Sequence, residues 1–115
     1  MKGFGSASSP RRARAPRVRV PNNEAVRFVV EGKSFVGHLH TISITGGVAS
    51  TAGPVKEGTF ADISLQTALG KVTGAIEFLR PHKAGHAFRF VYLDSKDQER
   101  LSSTLLLMRK QGLSA

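Results

Sequence analysis

The chain has 115 residues, 40% of them hydrophobic, with no cysteine and a formal net charge of +9 at pH 7. That length supports one compact core rather than two, and the absent cysteine excludes disulfide frameworks and thiolate chemistry. No apolar run approaches the ~18–20 residues that a membrane-crossing helix needs. The first twenty residues carry charge without an apolar stretch, so neither a span nor a secretion signal is expected.

The charge is unevenly placed. Lys2, Arg11, Arg12, Arg14, Arg17 and Arg19 fall within residues 1–19, with no acid among them. The other eleven basic residues face eight acidic ones. A local excess of this kind attracts phosphate, whether in a nucleotide, a nucleic acid or an anionic lipid. Residues 1–16 are rich in Gly, Ser and Pro and show no hydrophobic period. They read as a flexible basic arm, with a domain following over 17–112.

Beyond the arm, Arg17-Val18-Arg19-Val20 alternates polar with apolar, as a strand does. Pro21-Asn22-Asn23 interrupts it. Val26 to Val30 is β-branched and aromatic, and Glu31-Gly32-Lys33 makes a hairpin turn with Gly32 free to take positive φ. Phe35 to Ile44 is the next strand. A strict period of two puts Phe35, Gly37, Leu39, Thr41 and Ser43 on one face, with Val36, His38, His40, Ile42 and Ile44 on the other. Gly46-Gly47 punctuates, Val48 to Thr51 resumes, and Pro54 to Gly58 is a loop. Thr59 to Leu65 and Lys71 to Leu79 are strands around an Ala68-Leu69-Gly70 turn. Arg80 to Gly85 reads as a polar loop. Ala87 to Leu93 is a last strand, with Phe88, Phe90 and Tyr92 on one face.

The period then changes. Leu101, Leu105 and Met108 stand at helical spacing. Ser95 and Gln98 have the spacing of a capping box, and Asp97 and Glu99 suit the positive end of the helix dipole. Arg109 and Lys110 suit the other end, and Gly112 supplies a stop. Short strands followed by one helix predict a mainly β chain, closed or nearly closed into a barrel with a helical plug.

The chemistry-bearing residues point to binding rather than catalysis. His38 and His40 share a strand face, and His82 and His86 flank a loop, but the spacing supplies no third metal ligand. No Ser/His/Asp spacing or phosphate-loop glycine pattern emerges, so no enzyme is expected. Three segments carry a family resemblance. They are the arginine-rich entry Arg11-Arg12-Ala13-Arg14-Ala15-Pro16-Arg17-Val18-Arg19-Val20, the segment Thr41-Ile42-Ser43-Ile44-Thr45-Gly46-Gly47-Val48, and Gly85-His86-Ala87-Phe88-Arg89-Phe90-Val91-Tyr92-Leu93 before the helix. Together they resemble the PilZ family over roughly residues 11–110.

That resemblance implies a six- to seven-stranded antiparallel barrel with a C-terminal helix, and a cytoplasmic receptor or adaptor for the bacterial messenger cyclic di-GMP. It implies no cofactor beyond that ligand, and a protein effector as partner. The family's ligand signature pairs Arg-x-x-x-Arg in the arm with Asp/Asn-x-Ser-x-x-Gly at the turn. Here Arg17 holds the second arginine place, and Ala13 stands where the first belongs, flanked by Arg12 and Arg14. Ser43 and Gly46 match the second half, and Thr41 replaces the acid or amide. The ligand residues so implied are Arg12, Arg14, Arg17, Thr41, Ser43 and Gly46. Two alternatives stand beside this reading. One is a degenerate PilZ domain that binds a protein partner without nucleotide; the other is a small basic barrel that binds nucleic acid.

Overall fold

In a computed structural model, residues 16–21, 24–83 and 85–114 are described. Alternating side chains along each strand fix the architecture. In β5 (Phe60–Thr67), Ala61, Ile63 and Leu65 are buried, while Phe60 and Asp62 face solvent. In β6 (Gly70–His82), Val72, Ile76 and Phe78 are buried in the same rhythm. With β1 (Val18–Arg19), β2 (Ala25–Val30), β3 (Lys33–Ile42), β4 (Gly46–Thr51) and β7 (Gly85–Tyr92), they form one antiparallel sheet. Its order is β1-β3-β2-β5-β6-β7-β4, and β3 also pairs with β4. That last pairing closes six strands into a barrel and leaves β1 as an extra strand. Closure removes the exposed edges that an open sheet would present.

The inward residues meet as a close-packed core. Phe28 is fully buried, its ring 5.0 Å from that of Phe78 and 6.2 Å from that of Phe88. Such tilted pairs are favoured over stacked ones by the ring quadrupole. α1 (Ser95–Lys110) lies against the barrel through Leu101, Thr104 and Leu105. Before it, Leu93 fills the space left by Gly74, where an added Cβ would stand 2.7 Å from Leu93 Cδ2.

Two bulges overturn the strict period expected from the sequence. In β3, Leu39 pairs with Ala49 but Thr41 pairs with Val48, so His40 is the extra residue. The inward position therefore jumps from Leu39 to Ile42, and both are buried. Thr41 does not share Leu39's face. In β7, Phe90 pairs with Ile76 and Tyr92 with Ala75, so Val91 is the extra residue. Phe88 is buried, whereas Tyr92 turns outward and is 63% exposed. One inserted residue reverses every later side chain.

Other boundaries move for physical reasons. Arg80–Gly85, expected as a loop, is mostly strand: Pro81 pairs with His86 and His82 with Gly85, after a register shift that accommodates the proline. These ends run past the core, so they show no apolar alternation. The helix is capped by Asp94 instead of Ser95. Its carboxylate accepts from the Asp97 N–H at 2.9 Å. Asp97 reaches back to the barrel, its Oδ1 accepting the Thr73 N–H at 3.1 Å. At the other end Gly112 (φ 81°) turns the chain, and the Leu113 N–H reaches the Met108 carbonyl at 3.2 Å. That is a Schellman stop.

The β2–β3 turn has positive φ at both central residues, Glu31 (50°) and Gly32 (83°), the signature of a type I′ hairpin. Glutamate is a poor occupant of that position, because its Cβ crowds the following carbonyl. Glu31→Asn is expected to raise stability by about 0.5–1 kcal/mol in urea unfolding. A second expectation concerns Asp94, whose pKa is lowered chiefly by the Asp97 backbone N–H. A depressed native pKa stabilises the fold above the unfolded value of about 4 and loses that contribution as pH falls through the native value. Thermal melts of wild type and Asp94→Ala should therefore differ at pH 6 and converge in strong acid.

Candidate ligand site at the leader and the β3–β4 turn

The end of the leader lies against the turn. β1 pairs with the last residues of β3, Val18 opposite Ile42 and Arg19 opposite Thr41. Continued by one residue, this register carries Arg17 to Ser43. Val18 anchors the arrangement because its side chain is wholly buried, while Arg17 is half-buried and Arg19 exposed. An apolar residue between two arginines thus fixes the leader with one cation on either side. Arg12 and Arg14 lie outside the described residues.

β1 is held on its other side as well. The Arg19 N–H donates to the Leu113 carbonyl at 2.6 Å, and Val18 bridges to Ser114. The two residues of β1 are therefore sandwiched between β3 and the tail that follows α1. β1 and β2 also lie end to end on one edge of β3. The Val20 N–H reaches the His40 carbonyl at 2.9 Å, and the Leu39 N–H reaches the Glu24 carbonyl at 2.8 Å.

At the turn, Ser43 and Gly46 both have structural duties. Ser43 is 3% exposed. Its Oγ accepts the Thr45 N–H at 3.2 Å, donates to the Gly46 carbonyl at 3.2 Å and lies 3.0 Å from Thr45 Oγ1. The Ser43 N–H also donates to the Gly46 carbonyl at 2.7 Å. Gly46 does not serve the turn through positive φ; its φ is not left-handed. Glycine is needed because an added Cβ would collide with the Phe88 carbonyl and stand 2.9 Å from Arg89 Cα. Gly46 is thus a strand residue at a close approach of β4 to β7, and Gly47 one at a close approach to the Thr41 carbonyl of β3.

Thr41 is half-buried, and its Oγ1 is buried without a hydrogen-bond partner. The neighbouring bulge residue His40 likewise has an unpartnered buried atom, Nε2. An unmade hydrogen bond at a buried polar atom costs about 1–3 kcal/mol.

One cation beside the turn lies beyond the sequence motif. Arg89 is the Cα partner of Gly46. It sits on the outer surface, and its Nε and Nη2 each donate to Glu77 Oε1 at 2.7 Å. The signal is present in the sequence as an outward position on the last strand, but only the β4–β7 pairing brings it to Gly46. Arg89 and Glu77 form an ion pair with no net charge. Among the described residues no group of three or more His, Asp or Glu is placed to hold a metal ion. Among the same residues, no helix is long and apolar enough to cross a membrane.

This architecture, a six-stranded antiparallel barrel with an extra strand and one C-terminal helix, is a PilZ-like fold. The PilZ domain of YcgR from Escherichia coli, solved with c-di-GMP, superposes with a TM-score of 0.70 at 13% identity, over 86% of this chain and 92% of that one. MrkH, described as a c-di-GMP-dependent transcription regulatory factor, gives 0.67 at 16% identity, over 85% of this chain and 51% of that one. The PilZ domain of CeSA from a cellulose-synthesizing bacterium gives 0.58 at 12% identity, covering 84% of this chain and 97% of that one. No family model matches the sequence, and neither does any curated protein.

The turn geometry sets an expectation for mutagenesis. Gly46→Ala should lower unfolding stability by about 1–3 kcal/mol through overpacking. Ser43→Ala should cost about 1 kcal/mol by removing the turn's side-chain bonds. Urea titrations of both variants without ligand test these values.

Proposed function

We propose that the chain is a cyclic di-GMP receptor module that works by binding rather than catalysis. The observation that carries this reading is the β1–β3 register, which sets the arginine-flanked end of the leader beside Thr41 and the Ser43 turn. Cyclic di-GMP presents two phosphates and two guanines. A guanidinium gives phosphate two parallel hydrogen bonds, fits guanine O6 and N7 with the same fork, and stacks on a base. Arg17 and the leader arginines Arg12 and Arg14 take these roles, with Thr41, Ser43 and Gly46 forming the opposing wall. Ligand contact then fixes the leader's position, and that position is what a protein effector reads. Such a shift needs contacts that favour the closed arrangement over the open one.

Thr41 weakens the site without abolishing it. Threonine cannot present a carboxylate or amide to the paired donors of a guanine edge. Asparagine or aspartate at this place would restore that partner. Ser43's hydroxyl is already engaged with Thr45 and Gly46, so its part is to hold the turn.

Calorimetric titration with cyclic di-GMP tests the reading. Wild type should bind in the micromolar range, and Arg17→Ala should bind about ten- to a hundredfold more weakly. Thr41→Asn should bind more tightly than wild type by about tenfold. Absence of heat from wild type at ~100 μM ligand would remove the nucleotide from the proposal. A partner captured equally well with and without the messenger would then favour the nucleotide-free adaptor. Equal affinity in wild type and Arg17→Ala would remove Arg17 from the site.

A further inference from the structure

We propose that the outward face of α1 is a self-association surface, on which two copies of this chain pack their helices antiparallel. This is independent of the nucleotide reading. α1 buries Leu101, Thr104 and Leu105 against the barrel, yet carries two more large apolar residues on its exposed side. Leu106 is 48% exposed and Leu107 39%. Both side chains are only partly covered by the rest of the chain.

The residues around Leu106 make a seam. Glu99, Ser103, Leu106 and Lys110 are all exposed. Their spacing of four, three and four keeps them on one stripe of a helix turning about 100° per residue. That stripe points directly away from the one holding Leu101, Leu105 and Met108. Apolar residues lie on both flanks, among the basic side chains of Lys96, Arg100 and Arg109. Leu69, 49% exposed at the β5–β6 turn, shares a groove with Glu99 and Ser103. Pro16 and Ile44 share another with Ser102 and Leu106.

The seam is complementary to itself in one orientation only. Antiparallel packing about a two-fold axis between residues 104 and 105 sets Glu99 against Lys110 of the other copy, twice over. It also sets Leu106 against the small Ser103, so that each leucine meets a recess. Parallel packing would instead oppose Glu99 to Glu99 and Lys110 to Lys110. The charges therefore select a second copy, in antiparallel register, as the occupant. One helix pair with its flanks is a small interface, so the association is weak, with a Kd of about 100 μM. The leader's positive charge and the flanking Lys96, Arg100 and Arg109 oppose it at low ionic strength. At about 0.15 M salt the screening length of about 8 Å suppresses that repulsion but spares touching pairs.

Two experiments on the full chain without nucleotide test this. In the first, sedimentation is followed from about 10 μM to 1 mM in about 0.15 M salt, where the expected dimer populates. Wild type should pass from monomer to dimer, and Leu106→Glu should stay monomeric with an unchanged melting temperature. The second uses the absence of native cysteine. In the antiparallel register, position 99 of one copy and position 99 of the other lie about 16 Å apart along the axis, beyond disulfide reach. The same separation holds for position 110. Glu99→Cys alone and Lys110→Cys alone should therefore not cross-link, whereas an equimolar mixture of the two should. A wild type that remains monomeric at about 1 mM overturns the proposal. So does Leu106→Glu dimerising like wild type, or either single cysteine variant cross-linking as readily as the mixture.

Discussion

Everything near the candidate site depends on β3 pairing along both of its edges. One edge carries β2 and then β1; the other carries β4. The pairing with β4 closes the barrel, and the pairing with β1 fixes the end of the leader. The His40 bulge lies between the two. It lets the strand bend around the barrel end and brings Ile42 into the core. A straight β3 would leave Ile42 in solvent and Thr41 inside, and the turn would face the wrong way. The position of the site is therefore a consequence of barrel closure.

The leader is joined to the far end of the chain by the same device. Two residues of β1 are hydrogen-bonded to β3 on one side and to Leu113 and Ser114 on the other. The tail reaches them because Gly112 ends α1 in a Schellman turn that directs Leu113 back to the barrel. A shift of the leader thus bears directly on the residues after α1.

Much of the fold is legible in the sequence. Alternation in Ala61-Ile63-Leu65 and Val72-Ile76-Phe78 marks two strands, because half-buried strands must place apolar groups at every second residue. The 3.6 period of Leu101, Leu105 and Met108 marks the helix, and Gly112 marks its stop. The arginine-rich leader and the Ser43–Gly46 spacing are visible as motifs. Three things are not. The bulges at His40 and Val91 carry no residue signature, since a bulge is a mismatch between two strands rather than a property of one. Asp94 and Ser95 are both good caps, and the choice falls to Asp94 as the chain leaves the barrel. Gly46 reads as a turn glycine, and its reason is a neighbour forty-two residues away, Phe88.

Local chemistry in the sequence determined the number and kind of elements, the concentration of arginines in the leader and the residues of the turn. These depend on periodicity, propensity and charge, which neighbouring residues carry by themselves. Only the tertiary structure decided that Arg17 and Arg19 flank a buried Val18 beside Thr41 and that Arg89 stands next to Gly46. Those are outcomes of strand register and barrel closure. Both arise from contacts between residues far apart in the chain, where one bulged residue is enough to exchange the inside for the outside.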